Sequence, residues 1–162
     1  MQKIIPNLWF DTQAEEAANF YISVFGEGRV KEITHYGPDM PGPEGQVMTV
    51  EFELRGQEFV GINGGPEFRF TEAVSFEIRC RDQAEVDHFW DALVEGGEPG
   101  PCGWLKDRYG LSWQVVPEEW YAMATDPDPE KVRRAMKAML ATQGKFDVAT
   151  LRAAFEGAEQ PA

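Results

Sequence analysis

Few residue types in this 162-residue chain can do acid–base, nucleophilic or metal chemistry, and their spacing narrows the choice further. There are two histidines, His35 and His88. His35 closes an alternating stretch beside a Pro/Gly loop, and His88 sits at helical spacing next to Phe89. Neither has the i, i+4 histidine partner of a ligand pair, so both read as surface or packing residues. Cys80 and Cys102 are too few for a disulfide scaffold, which predicts a reducing, cytoplasmic setting. No Gly-x-Ser-x-Gly elbow and no phosphate-binding loop occurs. What remains is a polar and aromatic set: Asn7, Trp9, Ser75, Glu77, Arg79, Trp104 and Gln114. An indole beside amides, a hydroxyl and a charged pair suits recognition of a small, partly aromatic or polar molecule. The competing reading is that Glu77 and Arg79 pair across neighbouring strands and Trp9 fills the sheet.

A duplication positions this set. Gln13-Ala14-Glu15 recurs as Gln83-Ala84-Glu85, 70 residues later. At that offset Leu8 falls on Ile78, Phe20 on Trp90, Val24 on Val94 and Gly26 on Gly96. A second match aligns Gly56 with Gly110, an offset of 54, which brings Phe59 onto Trp113 and Val60 onto Gln114. Each copy reads as strand, capped helix, glycine stop and further strands. In the first, residues 4–10 are a strand, Thr12 heads a capping box with Glu15, and residues 47–54 alternate as a half-buried strand. In the second, residues 73–80 are a strand, Asp82 caps a helix with Glu85 at its third position, and Val86, Phe89, Trp90 and Leu93 make the buried stripe. Alternation sends Ile4, Leu8 and Phe10, with Val74, Phe76, Ile78 and Cys80, toward the helices. It sends Ile5, Asn7, Trp9, Ser75, Glu77, Arg79, Ser112, Gln114 and Val116 to the opposite, open face, where the two units are expected to share a cleft. Trp104 is expected beside that cleft, and Trp90 and Trp113 in the core.

The last 40 or so residues differ. Asp128-Pro129-Glu130 opens one helix and Asp147 another, with Phe146 and Leu151 spaced as a hydrophobic staple. Lys and Arg make the first of these a basic patch, read either as a solvated face beside a packing face or as part of a tail that docks on the core or on a second subunit. The net charge of −13 argues against nucleic acid as a partner. No apolar run approaches the roughly 20 residues of a membrane span, and no signal segment opens the chain.

These features resemble the vicinal-oxygen-chelate, or glyoxalase/bleomycin-resistance/dioxygenase, superfamily, and within it the PhnB-like, "3-demethylubiquinone-9 3-methyltransferase-like" branch. The resemblance is carried by Ile5-Pro6-Asn7-Leu8-Trp9-Phe10, by Ala14-Glu15-Glu16-Ala17 running through Phe20-Tyr21 to Gly26, by Asp107-Arg108-Tyr109-Gly110-Leu111-Ser112-Trp113-Gln114, and by the tail Lys145-Phe146-Asp147-Val148-Ala149-Thr150-Leu151. It implies an α+β fold of paired βαβββ units (1–66 and 72–118) in one domain, residues 1–118, followed by a C-terminal helical extension, 119–162. It also implies a homodimer. In metal-using relatives the ligands come from the first, fourth, fifth and eighth strands, which carries over to Ile5, Val60, Ser75 and Gln114. Only Gln114 is a metal-ligand type, so the expectation is a metal-free, cofactor-free, small-molecule-binding protein whose catalysis is open. The alternatives are a metal-dependent lyase, isomerase or dioxygenase using Gln114 and Glu77, a methyltransferase as the branch label says, or an interaction protein with a plugged cleft. A nucleotide-type cofactor fold needs a Gly-rich strand-to-helix turn, whereas Gly26-Glu27-Gly28 follows a helix and precedes a strand.

Overall fold

The computed structural model describes residues 3–158. The chain up to residue 70 forms one compact unit and the chain from residue 71 onward a second. In the first unit the order is β1 (Asn7–Phe10), α1 (Ala14–Phe25), β2 (Gly28–His35), β3 (Val47–Leu54) and β4 (Gln57–Asn63). In the second it is β5 (Ser75–Cys80), α2 (Gln83–Val94), β6 (Glu98–Pro99), β7 (Trp104–Lys106) and β8 (Ser112–Pro117), then α3 (Glu119–Ala124), α4 (Pro129–Ala141) and α5 (Val148–Glu156). Each unit has a four-stranded mixed sheet, ordered β1-β4-β3-β2 and β5-β8-β7-β6. The fold is thus α+β, two βαβββ units with C-terminal helices.

The two sequence offsets reappear as hydrogen-bond register. Asn7 pairs with Val60 across β1–β4, and Glu77 pairs with Gln114 across β5–β8. These are the same step of each sheet, since 70 and 54 residues separate the respective partners. Parallel pairing of a first and last strand requires a crossover, and the helix with the two intervening strands supplies it.

Directly paired residues share a face, so register and burial sort the side chains. Leu8, Phe10, Val50, Phe52, Leu54 and Phe59 are buried in the first unit with Ala14, Ala17, Ala18, Tyr21 and Val24 of α1. In the second, Ile78, Cys80, Leu105, Trp113 and Val115 are buried with Val86, Phe89, Trp90 and Leu93 of α2. Three expectations change. Ile4 and Val74 lie ahead of β1 and β5 and are exposed, because no helix face reaches the lead-in residues. Thr12 does not cap α1; the helix begins one residue later, and the Asn63 side chain at the end of β4 accepts from the Ala14 amide at 2.8 Å. Val116 is not open. The tail roofs it in a cluster with Met123, Ala135, Phe146 and Leu151, so β8 is buried on both faces at that end.

The tail is held by polar ties as well as apolar ones. Gln83, at the start of α2, donates to the Phe146 carbonyl at 3.0 Å and accepts from the Val148 amide at 2.8 Å. Arg152 of α5 forms a two-pronged ion pair with Glu119 of α3 at 2.7 and 2.6 Å. Arg134 of α4 caps the carbonyl end of α5 through Phe155 at 2.9 Å.

Candidate functional site

The face of the second sheet away from α2 carries five of the seven residues singled out in the sequence. Cross-strand pairing makes rows of them. Glu77, Gln114 and Trp104 form one row across β5, β8 and β7. Ser75, Ser112 and Lys106 form the next, which Glu98 of β6 continues. Gln114 donates through Nε2 to Ser75 Oγ at 2.9 Å, linking the two rows. Glu77 and Arg79 do pair, but along one strand rather than across two, at 2.9 Å. The Arg79 guanidinium also lies over the Tyr121 ring, 4.2 Å from its centroid.

Tyr121 belongs to the short helix α3 that the sequence pattern did not reveal, and it brings a third group to this face. Its hydroxyl is buried without a well-formed hydrogen bond among the described residues. Burial first, and then the Glu77 carboxylate, push the phenol up to about 12, against the pull of Arg79. The Glu77 carboxylate in turn holds the Arg79 guanidinium above its ordinary range.

Below the Trp104 row the sheet opens into a cavity of about 410 Å³, lined by Glu72, Glu98, Pro99, Gly100, Pro101, Trp104, Leu105, Lys106 and Ser112. Its walls are mainly apolar, with few polar groups, as small-molecule sites are. Lys106 forms an ion pair with Glu72 at 2.5 Å. That contact raises the lysine above its ordinary value and lowers the glutamate below its own. The Ser112 hydroxyl is 1% exposed at the residue level and has no hydrogen-bond partner among the described residues. Alternation assigns Ser112 to this face; only the structure shows that its hydroxyl is left unsatisfied, a state that costs roughly 1–3 kcal/mol in a folded protein.

Asn7 and Trp9 belong to the first unit, on the face of its sheet away from α1. Asn7 is exposed and donates to the Ile5 carbonyl at 3.0 Å. Trp9 is engaged by its own unit. Its indole N–H donates to the Gly65 carbonyl at 2.9 Å, and its ring packs edge-on against Phe68, 5.0 Å between centroids. Gly64 lies flat against that ring, and a Cβ there would fall 2.1 Å from it.

The positions carried over from metal-using relatives do not fit a metal. Ile5 precedes β1, and neither its side chain nor that of Val60 has a donor atom; the residue facing Val60 is Asn7. Ser75 is occupied with Gln114. Among the described residues no group of three or more His, Cys, Asp or Glu side chains is placed to hold an ion, and a divalent metal needs three or four such ligands. Both histidines are exposed, His35 at the end of β2 and His88 on α2, where its ring meets Phe89 edge-on.

Comparison with known proteins agrees with this topology. A family model described as 3-demethylubiquinone-9 3-methyltransferase matches residues 2–116. No curated protein matches the chain. Of solved structures, the PhnB protein of Bacillus cereus is 38% identical, covers 72% of this chain and 99% of its own, and superposes with a TM-score of 0.65. A Pseudomonas aeruginosa protein shares the fold at 24% identity, over 73% of this chain and 98% of its own, with a TM-score of 0.59. The doubled βαβββ unit, with its parallel first and last strands, is therefore backed by a family match across most of the chain, which belongs to the 3-demethylubiquinone-9 3-methyltransferase, or PhnB-like, family.

Proposed function

We propose that the protein binds a small, partly aromatic or polar molecule on the open face of its second sheet, without a metal ion. The observation that carries this reading is the cavity of about 410 Å³ lined by Trp104, Lys106 and Ser112, on the same face as Glu77 and Gln114. A volume in the range of small-molecule sites, mostly apolar walls and a few fixed polar groups are the ordinary ingredients of recognition. The same side chains lack a nucleophile with an adjacent base, so binding is what the arrangement supports best. Metal analysis of the purified, dialysed protein tests the second half of the claim. Sub-stoichiometric Zn, Mn, Fe and Ni are expected, and one equivalent lost on Gln114→Ala would overturn it. That same result would favour a metal-dependent lyase, isomerase or dioxygenase, a reading supported by the pairing of Glu77 with Gln114 at one register step.

The methyltransferase name of the family finds no counterpart in the chain. S-adenosylmethionine sites in doubly wound folds lie at a Gly-rich strand-to-helix turn. Here the turns into α1 and α2 are residues 11–13 and 81–82, and neither contains glycine. Calorimetric titration with S-adenosylmethionine is expected to give no saturable heat. A cytoplasmic location and a homodimer complete the proposal, the latter checked by sedimentation. No helix among the described residues is long and apolar enough to cross a membrane.

A further inference from the structure

Helix α4 is apolar on more of its circumference than its place in the roof uses. Ala135, Ala138 and Met139 pack into the cluster over Val116. Beside that face Val132, Met136 and Leu140 recur at i, i+4 and i+8, which makes a second stripe two turns long. Met136 and Leu140 are exposed, Leu140 at 64%. With the connection through Pro127 that joins α3 to α4, the stripe lines an open groove of about 680 Å³. A helix that only covered a core would turn polar residues outward at these positions. A contiguous apolar groove on a surface marks an interaction site, and a methionine at its centre lets the surface adapt to an apolar partner. The groove lies wholly beyond residue 116, where the family match ends, so the binding reading for the second sheet does not account for it.

Charge decides the occupant. α4 holds four basic residues and one acidic one, on a chain whose net charge is −13. Arg133 and Lys137 each follow a stripe residue and line the groove. Arg133 is shared with Glu130 at 3.0 Å, while Lys137 has no ion pair among those described. The one acid in the lining, Asp126, accepts from the Asp128 amide at 2.8 Å. The lining thus sets two bases against one acid on an otherwise acidic protein, which makes it complementary to carboxylates. A second copy docked antiparallel, stripe on stripe, would set Arg133 and Lys137 beside their own counterparts, a like-charge contact. An anionic membrane would attract these cations but repel the rest of the chain, and a groove receives a ridge better than a flat surface. An amphipathic helix meets both demands: its apolar residues fill the groove at the same spacing, and its carboxylates reach the cations. We propose that the groove between α3 and α4 docks an acidic amphipathic helix of a partner protein, with Met136 and Leu140 as its apolar seat and Lys137 as its main charge contact.

Fluorescein-labelled, stapled helical peptides of about 14 residues test this on the full-length protein by fluorescence anisotropy. One carries Leu at i, i+4 and i+8 with Glu around them, a second Leu with Lys, and a third Ala with Glu. The Leu/Glu peptide is expected to bind saturably, about tenfold or more tighter than either of the others, and to weaken several-fold between about 0.1 and 0.5 M salt. Lys137→Glu and Leu140→Ala are each expected to weaken it about tenfold. Both positions are exposed, and circular dichroism verifies that the variants stay folded. No binding of the Leu/Glu peptide, or equal binding of the Leu/Glu and Leu/Lys peptides, overturns the proposal, as does an affinity unchanged in both variants. Two further measurements address the other occupants. Co-sedimentation with phosphatidylcholine/phosphatidylglycerol vesicles that Leu140→Ala abolishes would assign the groove to a membrane and overturn the helix. A dimer in sedimentation that Leu140→Glu turns into a monomer would assign it to a second copy and overturn the helix as well.

Discussion

A hydroxyl kept bare inside a folded chain works against stability, so Ser112 gives a prediction whose sign is unusual for a buried residue. Replacing it by alanine removes a polar atom that has no hydrogen-bond partner among the described residues. Ser112→Ala is expected to raise unfolding stability by about 1 kcal/mol in a urea melt. A residue retained only for packing would lose stability instead. Asp107 is the opposite case. It is 2% exposed, yet its Oδ1 accepts from the Tyr109 and Leu111 amides at 2.8 and 3.1 Å, and its Oδ2 from the Trp113 indole at 2.9 Å. Asp107→Ala leaves these three donors, two in the turn that feeds β8 and one on β8 itself, without their acceptor, and a loss on the order of 3 kcal/mol is expected in the same melt. Nothing in the local sequence shows that Asp107 also secures a tryptophan six positions on. A side chain's second partner depends on where the turn brings the strand, which composition does not encode.

Caps and alternation were legible at the scale of elements wherever the determinants are local. Asp82, Asp128 and Asp147 each cap the helix they precede, as their spacing indicates. The missing case is instructive, because α1 takes its cap from Asn63, 49 residues away, and no local pattern reveals that. The same Asn63 side chain donates to the Val47 carbonyl at 3.1 Å, so it ties the helix start to β3. Asn63→Ala is expected to cost about 1–2 kcal/mol, read from the shift in urea midpoint. The tail has a sharper dependence on one backbone position. Gly103 has φ +77°, and a Cβ there would fall 2.5 Å from the Phe146 ring and 2.7 Å from the Val115 carbonyl. Gly103→Ala is therefore expected to displace Phe146 and loosen α5, with faster proteolytic cutting between α4 and α5 as the readout. A glycine before a short strand carried no such message in the sequence, since the aromatic ring that crowds it lies 43 residues on.

For the whole molecule, acidity and ion pairing pull in opposite directions as pH falls. Glu58 is held low by a hydrogen bond from Lys31, Glu72 by Lys106, Asp82 by the Glu85 amide, Asp87 by Gln83 and then Lys145, and Glu119 by Arg152. A carboxyl depressed in the folded state stabilises the protein above its unfolded value, near pH 4, and that contribution disappears as pH falls through the folded value. Loss of negative charge on acidification also relieves the self-repulsion of a −13 chain. The thermal midpoint is thus expected to hold or rise down to about pH 5 and to fall below about pH 4. A midpoint that climbs steadily to pH 3 would show that repulsion outweighs the pairs. The doubling of the fold was legible because two offsets translate directly into strand register. The site was legible in part: alternation placed Ser75, Glu77, Gln114 and Arg79 on one face, but the roles of Ser112, Lys106 and Tyr121 depend on which groups lack partners.

The roof over Val116 has a consequence for how the chain can be cut. A boundary after residue 118, where strands give way to helices, would remove Met123, Ala135, Phe146 and Leu151 together. It would bare the second side of a strand already apolar on its first, next to the Cys102 that packs against the same cluster. Such a fragment presents a sticky, two-faced strand to its own copies. Residues 1–118 alone are expected to elute as aggregates in size-exclusion chromatography, whereas the full chain elutes as a discrete species. The helices that look like an appendage thus form one wall of the second unit's core.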